Sequence, residues 1–336
     1  MKKKKRRGNG EGTIFEDKKN KRWIGQYISG ISSEGKAIRK SVYGKTQKEV
    51  LNKLNEIKYK MNNDMYVEKN GIELVKIMED IREEKLASNT ISGGQYARLK
   101  WTINKIKNSK IGNMKIQDIT KDDIQEFLNS VKDLSDSYIK KLYEQFVQAY
   151  RRAEIKKYIS YNPMYEVIKP KSNKQTKVVE ALDIDVQKSF TEYLNKISIE
   201  DEPYKNIFLV QMYMGLRIGE VLALSKESID LENKVLYVKR TLTNDKEFAI
   251  ILGNKTKTYS GNRILPIPEF LVPIFEEQLK YTNENLHNLI FTNNDSYIRT
   301  SAINKELKRI FKEELNVNSK NISTHCLRHT YGTRCI

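Results

Sequence analysis

The apolar residues of this chain change period part-way along, which commits it to more than one kind of architecture in succession. Between residues 12 and 43 short β-prone runs alternate with turn residues: Thr13-Ile14-Phe15, then Arg22-Trp23-Ile24-Gly25-Gln26-Tyr27-Ile28, then Ala37-Ile38-Arg39-Lys40-Ser41-Val42-Tyr43. Three strands are the economical reading. Thr46-Gln47-Lys48-Glu49 then has the form of a capping box, and Val50, Leu51, Leu54, Ile57 and Met61 follow at helical spacing, so a helix is expected to pack on the sheet. Residues 64–165 read as mostly helix. One helix runs through Tyr96, Leu99, Ile103 and Ile106, and Thr120-Lys121-Asp122-Asp123 caps another that carries Ile124, Phe127, Leu128 and Val131. Ser135 opens a third, with Ile139, Leu142, Phe146, Ala149, Tyr150 and Ala153 on one side. Asn162-Pro163 and the run Lys169-Pro170-Lys171-Ser172-Asn173-Lys174-Gln175 break the pattern and read as a linker. Beyond it, helices are expected through Phe190, Tyr193 and Leu194 and from Ile207 to Tyr213, then a β-rich insertion from Val235 to Pro266, then closing helices. A length of 336 residues exceeds one ordinary core. The expected fold class is therefore multidomain α+β: a small three-stranded sheet plus helix over 1–62, a helical bundle over 64–168, a linker at 169–177, and a mainly α domain with a β-hairpin insertion over 178–336.

Charge narrows the partner. The net charge is +18, and residues 1–60 hold 18 Lys and Arg against 6 Asp and Glu, so +12 of it lies there. That density points to a polyanion, and the first segment is the strongest candidate for phosphate contact. Its candidate contacts are Lys2, Lys3, Lys4, Lys5, Arg6 and Arg7 in the leading run and Arg22, Trp23, Tyr27, Arg39 and Lys40 in the strands. A membrane-bound reading requires a long apolar run, and neither such a run nor an apolar signal core behind Met1-Lys2-Lys3 is found. Cysteines number 2, Cys326 and Cys335, which builds no disulfide framework and agrees with a reducing, cytosolic setting. Gly44-Lys45-Thr46 imitates the end of a phosphate-binding loop, but the required earlier glycine falls on Arg39.

Two short segments carry chemistry. The first is Gly215-Leu216-Arg217-Ile218-Gly219-Glu220, at the mouth of an apolar helix with Val221, Leu222 and Leu224. Arginine offers phosphate two parallel hydrogen bonds and stays charged, and Glu220, on the same helical face, is placed to orient the Arg217 guanidinium. An isolated Arg-x-x-Glu is an ordinary ion pair, but Gly215 and Gly219 beside Arg217 and the second segment set this one apart. That segment is Thr324-His325-Cys326-Leu327-Arg328-His329-Thr330, where His325 and Arg328 fall on one helical face and can reach one phosphate. His329 reads as a packing and hydrogen-bonding residue, and His287 sits in a polar loop without an evident partner. His325, Cys326, His329 and Cys335 crowd like zinc ligands, yet there is no Cys-x-x-Cys knuckle and adjacent His-Cys on a helix cannot easily share one tetrahedral site, so no metal is expected. Between the segments, Gly253 to Pro266 reads as a hairpin whose tip holds Lys255 and Lys257 and whose return strand ends in Arg263-Ile264-Leu265-Pro266.

In order, separation and intervening lysines, these segments resemble the two arginine boxes of the tyrosine recombinases, the integrase family of phages and conjugative transposons, across nearly the whole chain. The resemblance implies an N-terminal arm-type DNA-binding domain, a helical core-binding (SAM-like) domain and a catalytic domain. It implies that Arg217 and Arg328 hold the scissile phosphate, that His325 assists, and that a hairpin lysine, Lys257 or alternatively Lys255, is the general acid. The reaction implied is site-specific DNA strand cleavage and rejoining through a covalent 3′-phosphotyrosyl link, for integration or excision of a mobile element. It needs no cofactor. The partners implied are double-stranded DNA at core and arm sites, other copies of the chain in a tetramer, and host or element-encoded DNA-bending or excision factors. The family's nucleophilic tyrosine is expected beyond Ile336, and Tyr331 stands where the family has an aromatic core residue. Residues 1–336 are therefore expected to be inactive in cleavage. A non-catalytic DNA-binding remnant or regulator on the same scaffold is the alternative reading, and a type IB topoisomerase shares the chemistry.

The uneven charge generates a direct test. Deleting residues 1–60 is expected to abolish binding to one class of site, the arm-type repeats, while leaving binding at the crossover core largely intact in gel-shift titrations. Equal loss at both would contradict the two-site reading.

Overall fold

The computed structural model describes residues 12–31, 34–62, 66–67, 70–175, 180–253, 262–285, 287–293 and 296–334. The leading run Lys2 to Arg7 therefore lies outside the described residues, as do Lys255 and Lys257.

The N-terminal strands form as their alternation predicts. Strands β1 (Thr13–Asp17), β2 (Arg22–Ile31) and β3 (Ala37–Gly44) make an antiparallel sheet in that order. Helix α1 (Gln47–Asn62) follows, with Val50 and Leu54 buried. Its N-terminus is closed as a capping box shifted by one residue: the Glu49 N–H donates to Thr46 Oγ1 at 3.2 Å, and the Glu49 carboxylate accepts from the Lys45 N–H at 2.8 Å. Gly25 lets the helix come close, since a Cβ there would lie 2.6 Å from Val50 Cγ1. Because neighbouring residues of a strand point to opposite faces, this contact sorts the whole sheet. Trp23 and Tyr27 share the helix side with Gly25, and Lys40, paired with Tyr27, joins them. Arg22 and Arg39 lie on the open face, where Phe15, Ile28 and Tyr43 are exposed. The expected contact set is thus split between two faces. Tyr27 shares a 2.6 Å hydrogen bond with Tyr66, and Arg22 pairs with Asp17 at 3.1 Å and lies over the Tyr43 ring.

Four helices follow: α2 (Leu74–Ala87), α3 (Gly93–Lys107), α4 (Lys121–Ser130) and α5 (Asp136–Ile155). The faces read from periodicity are the buried ones, with Ile124, Leu128, Ile139, Leu142, Phe146, Ala149, Tyr150 and Ala153 all at 0% exposure. The cap expected at Thr120 is present, and Ser92 adds one outside those expected. Thr120 Oγ1 accepts from the Asp123 N–H and Ser92 Oγ from the Gln95 N–H, each answered by the reciprocal bond. The described residues gather into two compact units, one drawn from 1–78, 109–127 and 144–168, the other from 79–108, 128–143 and 169–336.

The second unit holds helices α6 (Ile184–Lys196), α7 (Lys205–Met214), α8 (Ile218–Val221), α9 (Val272–Tyr281), α10 (Thr300–Glu313) and α11 (Thr324–Arg334). Helix α7 is apolar nearly all round and is the buried axis of this core, among Phe190, Phe275, Phe311 and Leu327. The expected apolar helix after Arg217 is a single turn, α8, ending at Val221.

The β-rich insertion is real but paired differently from the hairpin expected over 253–266. Strands β4 (Ile229–Asp230), β5 (Val235–Val238) and β8 (Arg263–Pro266) form one sheet, while β6 (Thr241–Asn244) and β7 (Ile250–Gly253) form another. The two strands flanking 254–261 therefore belong to different sheets. The tight turn is at Asp245, whose carboxylate accepts from the N–H groups of Glu247 and Ala249 and so closes the β6–β7 hairpin. Strand β8 is drawn to β5 by the Leu236–Leu265 pair, which buries Leu236 completely. No helix among the described residues is long and apolar enough to cross a membrane.

Candidate active site

The site is assembled at the end of α7. Gly215 stops that helix in the left-handed conformation, φ 62° and ψ 24°, and its N–H donates to the Gln211 carbonyl at 3.0 Å. Only glycine serves, because a Cβ at this position would stand 2.2 Å from the Tyr331 ring. The chain then turns so that Arg217, in extended conformation, caps α8. Gly219 is required one turn later, where β6 runs so close that a Cβ would meet the Leu242 carbonyl oxygen at 2.6 Å.

Glu220 is the hub. Its side chain is 2% exposed and accepts from the Arg217 N–H at 2.8 Å and from Arg217 Nη1 at 3.0 Å. Arg263, the first residue of β8, adds a two-pronged contact, Nη1 to Oε1 at 3.1 Å and Nη2 to Oε2 at 2.8 Å. Burial alone works to raise this carboxyl, but hydrogen bonds from Arg263 and from the Arg217 N–H outweigh it, and the net effect holds Glu220 below the usual carboxylate range. Arg328 enters from α11 and donates through Nη1 to the Gly215 carbonyl. Burial, then the neighbouring Arg217 charge, pulls the Arg328 guanidinium below its ordinary value, while Glu220 opposes the shift. Two guanidiniums thus bond one carboxylate, with a third close enough to feel its charge. The Arg217 side chain stays 65% exposed, so its charge is offered outward.

Of the expected residues, Arg217, Glu220 and Arg328 are brought together, and His325 stands exposed one turn before Arg328 on the same helix. Lys257 and Lys255 lie outside the described residues. The intrahelical Arg217–Glu220 pair is instead a cap, with Arg217 just before the helix and Glu220 in its first turn. Two histidine readings change. His329 is exposed rather than packed, with Nδ1 3.4 Å from Thr333 Oγ1, and His287 has a partner, stacking on Tyr297 with ring centroids 6.1 Å apart. Arg263 was absent from the expected set although it binds the hub. Its only sequence signal is a basic residue opening the return strand, and that carries meaning only once β8 is known to pair with β5.

The fold is that of a sheet-and-helix N-terminal module, a SAM-like helical domain and a mostly helical catalytic domain, the last carrying this cluster of guanidiniums. Residues 180–336 match the phage integrase family, and residues 87–132 match the phage integrase N-terminal SAM-like domain. The chain belongs to the tyrosine recombinase, or phage integrase, family, whose enzymes carry out site-specific DNA recombination. It is 28% identical to a tyrosine recombinase XerC-like protein of Caldanaerobacter subterraneus subsp. tengcongensis, over 91% of this chain and 83% of that protein. Among solved structures it is similar in fold to the Tn1549 transposon integrase in complex with a circular intermediate DNA, with TM-score 0.65 and 18% identity, covering 78% of this chain and 86% of that one. It is also similar to a lambda integrase tetramer bound to a Holliday junction, with TM-score 0.53 and 15% identity, covering 95% and 90%.

The state of Glu220 makes a pH prediction. Its folded value lies below the unfolded one, so its stabilisation is present above the unfolded carboxyl value of about 4.3 and is lost as pH falls through the folded value. Glu220→Gln is expected to lower stability near pH 7 by roughly 1.5–3 kcal/mol, the range for hydrogen bonds to charged groups. It should also flatten the acid limb below about pH 5 in denaturant titrations. Parallel acid limbs for the two proteins would contradict the assignment.

Proposed function

We propose that this chain carries the phosphate-gripping part of a site-specific recombinase that integrates or excises a mobile element. The observation that supports it most is the sharing of one buried carboxylate by Arg217 and Arg263, with Arg328 beside them, so that net positive charge faces outward from a preorganised cluster. In this reading Arg217 and Arg328 bind the non-bridging oxygens of the scissile phosphate, where charge must be stabilised in the transition state. His325 assists binding and proton transfer. A tyrosine oxygen attacks phosphorus, the bond to the 5′ oxygen breaks, and a lysine, Lys257 with Lys255 as the alternative, supplies the proton to the departing 5′ hydroxyl. Attack by a partner's 5′ hydroxyl reverses the step and frees the tyrosine, so the phosphodiester energy is conserved. Tyr331 is not the nucleophile in this reading, since its ring fills the space over Gly215.

Double-stranded DNA is the proposed substrate, with the N-terminal module on arm sites and the helical and catalytic domains on the core. The tetramer seen for lambda integrase on a Holliday junction supports a four-copy working assembly, and bending or excision factors complete it. The domain limits proposed are 1–62, 64–168 and 178–336, with a linker at 169–177, and the setting is the bacterial cytoplasm, where the DNA is.

In the protein expressed from its complete gene, Arg217→Ala or Arg328→Ala is expected to slow cleavage of a nicked suicide substrate by on the order of a hundredfold or more, with much smaller losses of DNA affinity. Near-normal cleavage by either variant refutes the clamp.

The lysine assignment has its own test. Lys257→Ala is expected to cleave ordinary DNA slowly and to be rescued by a 5′-phosphorothiolate substrate, whose sulfur leaves without a proton. Rescue confined to Lys255→Ala would move the general acid to Lys255.

A further inference from the structure

Helix α11 bears the second arginine box on one side, and its other side is fastened to residues 180–182. Cys326 Sγ donates to the Glu180 carbonyl at 2.8 Å, the Leu182 N–H donates to Thr330 Oγ1 at 2.9 Å, and Arg334 Nη2 donates to the Leu182 carbonyl at 2.7 Å. These three side chains are spaced by four residues. At about 100° per residue they fall on the helix side away from His325 and Arg328. Thr330 is central and completely buried, and its hydroxyl also donates to the Cys326 carbonyl at 3.0 Å. It therefore both accepts and donates where water cannot replace either partner.

Ser172 and Asn173, earlier in the chain than this strap, are held as well. The Asn173 N–H donates to the Lys132 carbonyl at 2.9 Å, Asn173 Nδ2 donates to Asp133 at 3.0 Å, and Ser172 Oγ donates to the Leu134 carbonyl.

We propose that Thr330 is a positioning residue for the recombination chemistry: by seating residues 180–182 against the back of α11, it sets the roll and height of the helix that presents Arg328 and His325 to the phosphate. The inference rests on the phosphate-clamp reading. Its geometric ground lies at the front of the helix, where Arg328 meets the Gly215 carbonyl and Tyr331 packs on Gly215 with no space to spare. A roll of α11 disturbs both contacts at once. Without Oγ1 the buried Leu182 N–H loses its acceptor, so the strap cannot remain seated unchanged.

Thr330→Val keeps the side chain's shape and removes both hydrogen bonds, whereas Thr330→Ser keeps them. In the protein expressed from its complete gene, Thr330→Val is expected to cleave a nicked suicide substrate on the order of ten- to a hundredfold more slowly at saturating DNA, as displacement of a clamp by about 1 Å would give. DNA Kd should stay nearly unchanged, Thr330→Ser should recover most of the rate, and hydrogen exchange in α11 should rise for valine only. Arg334→Ala, at the exposed end of the strap, should show a smaller loss of the same kind and serves if Thr330→Val fails to fold. Parental cleavage by Thr330→Val, equal losses of rate and affinity, or no recovery by serine overturns the proposal. Arg328→Ala run alongside keeps the two ideas apart. Normal cleavage by that variant defeats the clamp reading, while unchanged exchange in the α11 of Thr330→Val defeats the strap by itself.

Discussion

A carboxylate removed from water is the constraint on which the catalytic unit depends. Glu220 is tolerable in the interior only because several donors converge on it, the Arg217 N–H and the guanidiniums of Arg217 and Arg263. Satisfying it fixes three parts of the chain relative to one another: the turn after α7, the single-turn α8, and the start of β8. The same carboxylate also lets like charges gather. Arg217, Arg263 and Arg328 would repel one another across the short distances here, and a buried negative charge among them offsets that repulsion while leaving net positive charge facing outward.

Around that hub the fold works by close approach. Gly215 and Gly219 are positions where side chains would collide, the first with Tyr331 of α11 and the second with the backbone of β6. Each absent Cβ lets a distant element come within reach of the arginines. Buried α7 supplies a rigid base, and the second box reaches the first only because α11 packs along it. Preorganisation of this kind is what phosphate chemistry asks of a protein, since the donors must already be in place when charge develops.

Much of the architecture is legible in the chain. Helix faces at residues 124–131 and 139–153 follow from apolar spacing, the cap of the first follows from Thr120 and Asp123, and the start of the second falls just after Ser135 as read. Arg217, Glu220 and Arg328 are found as a set because two boxes with the right chemistry occur in one chain. The pairing of the insertion is not legible in the same way. Residues 253–266 look like one hairpin when taken alone, and only the burial of Leu236 against β8, together with the Asp245 turn, assigns the flanking strands to different sheets.

Periodicity, caps and motif residues are local properties, so the sequence by itself determined most element types, their order, the basic N-terminal module and which residues make up the two boxes. Tertiary structure decided what depends on residues far apart in the chain. It recruited Arg263 to a carboxylate 43 positions away, turned the Arg217–Glu220 pair from an intrahelical bridge into a cap, and split the expected contacts of the N-terminal sheet between two faces. It also set Thr330 against Leu182, 148 residues upstream. The physical reason is the same in each case. Hydrogen bonds to buried groups form wherever folding brings a donor to an acceptor, and that meeting is settled by the packing of whole elements rather than by the spacing of neighbours.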